Sequence, residues 1–263
     1  MIDPKVFAEL MNRGTITQVG LNPSDYKDID DLQRHGLATI VDADEAYDDI
    51  VNELIDKKAV LEKFLADLTA GGEVKLPMDI ILSDYIEIRN TVVLDLNGYS
   101  LIHPAASPAT YKDVFEVMGG GNLTIIGEGE IIAEDGYSVY AAGDSTVTIN
   151  GGSYLSPVSA VDARKNAHVT INAGVFKVDG SNNPDGDFGQ KYTLNLRDKK
   201  GNYVTDQSEI TVKGGEFYKY NPAASESESP VANFVADGYE SVAQGDWYVV
   251  REAADIVVDD NVE

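Results

Sequence analysis

The sequence predicts a mainly β fold in which short strands pile up as a solenoid, a parallel β-helix of about six rungs with an N-terminal capping α-helix and a C-terminal β-hairpin cap. The first observation is a recurrent pattern, apolar residue, usually Thr, apolar residue, then Gly or Asn-Gly. It reads VLDLNG from Val93, LTIIGEG from Leu123, VTINGGSY from Val147, VTINAGVF from Val169 and ITVKGGEF from Ile210. With Asp95, Thr124, Thr148, Thr170 and Thr211 as markers, the steps are 29, 24, 22 and 41 residues. The second is a further strand ahead of each later marker: VFEV from Val114, YSVYAA from Tyr137, VSAVDA from Val158 and YTLNL from Tyr192. Each coil therefore holds at least two strands and a tighter third segment after the glycines, as at 153–155 and 174–176. The third is composition: 263 residues at 43% apolar content fill one solenoid and a modest extension.

Residues 1–41 place turn signals (Arg13-Gly14, Asn22-Pro23, His35-Gly36) around brief apolar patches, and read as an arm that docks to a partner by ordering on contact. Val6, Phe7 and Leu10 are its expected contact residues. Residues 42–72 read as a helix. Asp42 and Glu45 have capping-box spacing, and Tyr47, Ile50, Val51, Leu54, Leu61, Phe64, Leu65 and Leu68 recur at three and four. Gly71-Gly72 ends it. Such a helix covers the open interior of a first rung. With under four heptads, a coiled-coil seam is the weaker reading.

Residues 73–220 form the strand array. VKLPMDIIL and YIEIRN alternate with period two and lead into NTVVLDLNGYSLI. Stacked coils bring equivalent residues about 4.8 Å apart, so Thr124, Thr148, Thr170 and Thr211 should form one row. Asn97, Asn150 and Asn172, two positions on, should bond through their amides, and Lys213 breaks that row. The 41-residue step holds two polar, turn-rich stretches, 179–190 and 197–208, expected as loops flanking YTLNL. HPAASPATYK from His103 reads as another loop. Residues 221–230 (NPAASESESP) read as linker, 231–252 as a capping hairpin with the single Trp, and 253–263 as an acidic tail.

A formal net charge of −25 leaves too few cations to displace counterions from phosphate, so nucleic acid is not an expected partner. The same excess opposes adsorption to anionic membranes, and no apolar run approaches 18 residues. The N-terminus lacks the charged start and long apolar stretch of a secretory signal, so no export is expected. With no cysteine there are no disulfides, thiolate metal sites or cysteine nucleophiles.

Chemistry on such a fold needs a carboxylate pair, or acids holding a metal beside a base. In VDARK, Asp162 and Arg164 share a strand face, and Glu116 lies on the comparable strand two coils earlier at an offset the sequence does not fix. One acid beside an arginine reads as an ion pair. Asp179, Asp185 and Asp187, with Asn182, Asn183 and Gly186, offer oxygen ligands but miss the calcium-loop pattern, and Asp and Asn favour turns for backbone reasons. His35, His103 and His168 are scattered, so no metal, cofactor or catalytic residue is assigned. Tyrosine is in surplus at 14 copies; Tyr192, Tyr203, Tyr218 and Tyr220 are the candidates for glycan contact, though Tyr also suits any sheet surface.

LTAGGEVKL, a strand pair, then VVLDLNGYSL resembles the entry of right-handed parallel β-helix proteins of the pectate-lyase-like superfamily. FVADGYESV followed by DWYVV is similar to a terminal hairpin of such proteins from gut bacteria and their phages, and the resemblance spans residues 45–250. It implies right-handed coiling and a range of roles: polysaccharide lyase or hydrolase, tailspike, head fibre or adhesin. In organisation the chain resembles head fibre and capsid-decorating proteins of crAss-like phages of gut Bacteroidales. That resemblance implies a non-catalytic virion structural protein. It would be a dimer or trimer, held to capsid or other virion proteins by the N-terminal arm and displayed where host-surface glycans can be met. A polysaccharide-degrading tailspike or lyase, and a bacterial surface adhesin, are the alternatives.

Overall fold

The structure, a computed structural model, describes residues 43–105, 113–178, 192–196, 207–224, 227–229 and 233–254, with helix side chains from residue 53. The arm residues Val6, Phe7 and Leu10, the acidic loop 179–190, Tyr203 and most of the tail lie outside these. The described part is mainly β, with one helix and parallel sheets. The chain divides into two compact units, 1–63 and 64–263.

Of the first unit only helical residues are described. Helix α1 (Ala43–Ala70) begins and ends within two residues of the predicted span. In the first unit it carries i,i+4 pairs, Lys57 with Glu53 at 2.9 Å and Lys58 with Glu62 at 3.7 Å, and leaves Ile55 and Val60 exposed.

The second unit takes up the helix at Phe64, which is buried along with Leu68. Asn90 Nδ2 donates to the carbonyls of Leu68 (3.2 Å) and Thr69 (2.7 Å), satisfying acceptors that a helix end leaves orphaned. Gly71, in the left-handed region at φ 85°, donates its N–H to Asp67 O and turns the chain into the first strand. The strands are β1 (Gly72–Lys75), β2 (Ile80–Ile81), β3 (Ile86–Ile88), β4 (Thr91–Asp95), β5 (Ser100–His103), β6 (Phe115–Val117), β7 (Asn122–Ile126), β8 (Glu130–Ala133) and β9 (Tyr137–Ala142). They continue as β10 (Thr146–Ser156), β11 (Ser159–Arg164), β12 (His168–Val178), β13 (Leu194–Leu196), β14 (Glu209–Val212), β15 (Gly215–Tyr218), β16 (Tyr239–Gln244) and β17 (Trp247–Glu252).

One sheet of twelve strands runs β1-β4-β7-β10-β12-β15-β17-β16, with β2, β5 and β8 in a branch that joins β10, and β14 on β12. A second, of five, runs β13-β11-β9-β6-β3. All pairings are parallel except β15 with β17 and β17 with β16, where the C-terminal hairpin joins the larger sheet.

The register places Thr124, Thr148, Thr170 and Thr211 in one row, as expected. Asp95 does not belong to it. Val93 stands opposite Thr124, so the first step is 31 residues, and Asp95 sits in the neighbouring row beside Lys75, with which it pairs at 3.4 Å. The Asn row is corrected with it. Asn172 Nδ2 donates to Asn150 Oδ1 at 2.8 Å, but Asn97 lies in the turn after β4 at φ 54° and donates to Leu76 O. The 41-residue step is a single step of the ladder, since β14 pairs directly with β12 while β13 pairs with β11. His103, read as loop, ends β5 and is buried. The supposed linker is also held down at Ser229, whose N–H donates to Leu196 O at 2.7 Å.

Along the buried face of the larger sheet, Tyr154, Phe176 and Phe217 are fully buried and stack at 4.8 and 4.9 Å between ring centroids, with planes 8° and 9° apart. Tyr220 closes the column at 6.4 Å. The residue two before Phe176 must be glycine: Gly174 has φ 128°, and a Cβ there would lie 3.1 Å from the Phe176 ring.

Candidate functional site

Polar chemistry gathers on the non-core side of the five-stranded sheet. Alternation sends Ile86, Phe115, Val139, Val161 and Leu194 into the core, and Glu87, Glu116, Tyr140, Asp162 and Asn195 to the other face in register. The offset of Glu116 that spacing left open is thereby fixed: it stands in the row of Asp162, one strand beyond Tyr140.

Asp162 is 0% exposed. Arg164 clamps it in a bidentate pair, Nε to Oδ1 and Nη2 to Oδ2, each 2.6 Å. Asn195 Nδ2 adds a bond to Oδ2 at 2.8 Å. Asn195 in turn accepts the N–H of Glu228 at 3.1 Å and donates to its carboxylate at 3.2 Å, so the 227–229 segment lies across this end of the row. The guanidinium covers Tyr140 and Tyr137, 5.0 and 5.9 Å from their ring centroids, and those rings stack at 6.2 Å. Burial would pull the Arg164 pKa down, but the Asp162 carboxylate outweighs it and holds the guanidinium above its usual value. Burial likewise pushes the Tyr137 and Tyr140 hydroxyls up.

Asp113 stands beside this cluster, buried, with Oδ1 accepting the Tyr137 N–H at 2.8 Å. Its backbone carbonyl meets His103 Nδ1. Burial, reinforced by the charges of Glu116 and Asp162, pushes its carboxyl up to about 7, against the opposing pull of the Tyr137 N–H and Arg164. Glu116 is raised as well, by burial and then by Glu87 and Asp84. Glu87 is tied to Arg89 at 2.7 Å.

The pairing of Asp162 with Arg164 was visible in VDARK. Asp113, Tyr137, Tyr140 and Asn195 were not selected, although the odd-and-even pattern of YSVYAA and YTLNL carries Tyr140 and Asn195 onto the Asp162 row. Of the glycan candidates, Tyr192 and Tyr220 are corrected: they are 7% and 9% exposed, and Tyr220 donates its hydroxyl to Leu194 O at 2.9 Å. Both rings are used in packing, which leaves no face for a sugar. Tyr218 is half-buried against Trp247, with ring centroids 5.1 Å apart. Among the described residues no three His, Asp or Glu side chains gather to hold a metal, and no helix is long and apolar enough to cross a membrane.

No model of a protein family matches the chain, nor does any curated protein or any solved structure.

Proposed function

We propose that these parallel ladders are the rungs of a short right-handed β-helix of about six turns, with the end of α1 covering its first rung and the β16–β17 hairpin its last. On this reading the protein is a non-catalytic structural component of a phage particle, a head fibre or capsid decoration. It is held by its N-terminal arm to capsid or other virion proteins and displayed as a dimer or trimer.

The observation that carries the non-catalytic part is the state of Asp162. Hydrolysis or elimination on a sugar needs carboxylates that touch the substrate. Asp162 is wholly buried and spent on Arg164 and Asn195, so it fastens strands β11 and β13 together. The net charge of −25 suits a molecule displayed in many copies. Immunogold labelling of particles with an antibody to this chain tests the reading. Label on heads supports it, and particles that stay bare overturn it.

A polysaccharide-degrading role is the second reading. It draws on Glu87 and Glu116, which face each other on adjacent strands, the first paired with Arg89 at 2.7 Å and the second with a raised carboxyl. Release of reducing or unsaturated sugars from gut polysaccharides, lost in Glu116→Gln, is the result that would establish it over the first.

A further inference from the structure

The geometry points to a binding site for an acidic sugar, a hexuronate unit of a glycan, on the outer surface where β12, β15 and β17 meet, formed by Lys177, Tyr218, Lys219 and Trp247. The inference stands whether or not the particle reading does.

Phe176 and Phe217 face each other across β12 and β15 and point into the core, so the next residues, Lys177 and Tyr218, point out of it. Tyr218 pairs with Trp247 on β17, and the two rings sit 5.1 Å apart at 59°. Trp247 is partly exposed, and its ring, set at that angle beside the Tyr218 hydroxyl, offers an apolar face with a phenol hydroxyl and an indole N–H at its edge. This is the shape that takes the C–H face of a pyranose while bonding its edge hydroxyls.

Two cations converge on the same ring. Lys177 Nζ lies 5.2 Å and Lys219 Nζ 5.1 Å from the Tyr218 centroid. On a chain with 45 acids against 20 basic residues, such convergence runs against the prevailing charge. Lys219 is paired at 3.6 Å with Asp246, whereas Lys177 has no carboxylate within ion-pair distance among the described residues. The placement of Lys219 is built in. It holds a left-handed backbone at φ 51°, fixed by its N–H bond to Asp246 O at 2.7 Å, a conformation a lysine keeps only where its surroundings impose it. The hairpin turn that brings Trp247 to Tyr218 therefore also sets the second cation.

A neutral sugar would gain the stacking and the bonds to its edge hydroxyls. A uronate adds a carboxylate for Lys177, and that difference is the selectivity.

Trp247 is the single tryptophan among 14 tyrosines, so fluorescence excited at the red edge of the indole band, where tyrosine does not absorb, reads this corner. The experiment titrates the protein at low salt with a digalacturonate, with the matching neutral disaccharide, and with acetate. A saturable change with the uronate is expected, weakened by added salt and about threefold to fivefold weaker in Lys177→Gln. No saturable change with the uronate, equal saturation by the neutral sugar, equal saturation by acetate, or unaltered affinity in Lys177→Gln would each overturn the proposal. Lys177 is exposed, and an unchanged thermal unfolding curve verifies that the variant is folded. Particle labelling reads a different property, so either test fails without the other.

Discussion

At the scale of single residues, the buried acids of the five-stranded sheet divide into one that is satisfied and one that is not. Asp162 has its charge matched by a bidentate arginine and an amide. Asp113 has one backbone N–H and a carboxyl raised from 3.8 to about 7. Between those two values the folded chain holds a proton that the unfolded chain has released, so stability falls as pH rises through this window and levels off above it. The full linkage is on the order of 4 kcal/mol. Asp113→Asn keeps an oxygen for the Tyr137 N–H and removes the titration. It is expected to unfold at higher urea concentration than the parent at pH 8 and to lose most of the decline between pH 4 and pH 7. A variant with the parent's pH profile would show that Asp113 is ionised without penalty.

At the scale of elements, the strands repeat because their motif repeats, and the rows follow from it. The Thr row was legible from spacing alone, since each of its members has an apolar residue on either side and a glycine three or four positions on. The Asp95 marker misled because the first motif, VLDLNG, carries its turn two residues later than the others, and only the pairing partner reveals that. The aromatic column was equally present in GGSY, AGVF and GGEF, where the ring always stands two after a glycine, but one strand does not say whether that position faces in or out. The polar row of the second sheet was harder still. Its strands are three to six residues long, and their spacing varies with the loops between them. The interior column makes a sharp prediction. Phe176 touches a ring on each side, so Phe176→Ala loses its own burial and both stacking contacts, about 3–5 kcal/mol, while Phe176→Leu retains much of the volume and costs less. Urea unfolding followed by near-ultraviolet circular dichroism distinguishes the two. Equal, small losses would mean that the column is loosely packed.

At the scale of the whole molecule, the charge that keeps copies apart also limits where they can meet. With a net charge of −25, two identical chains approach most favourably through apolar surface. Outside its core the larger sheet presents an aliphatic row, Ile81, Ile102, Ile132 and Leu155 in register on β2, β5, β8 and β10, with Ile81 70% exposed and Glu130 in the row beside it. The row is aliphatic across four strands, a contiguous patch of the kind that marks contact between proteins. A second copy is the partner that makes sense of it under the proposed dimer or trimer, because identical rows are matched in length and shape. Light scattering of the full chain should therefore give the mass of two or three copies at moderate salt. Lowering the salt should shift it toward one copy as unscreened repulsion grows. Ile132→Glu, which sets a carboxylate into the middle of the row without touching the core, should give a monomer that unfolds at the parent's denaturant concentration once the parent's own association is diluted away. A parent that stays monomeric at high concentration and high salt would remove the oligomer from the proposal. A variant that still associates would move the contact to another face.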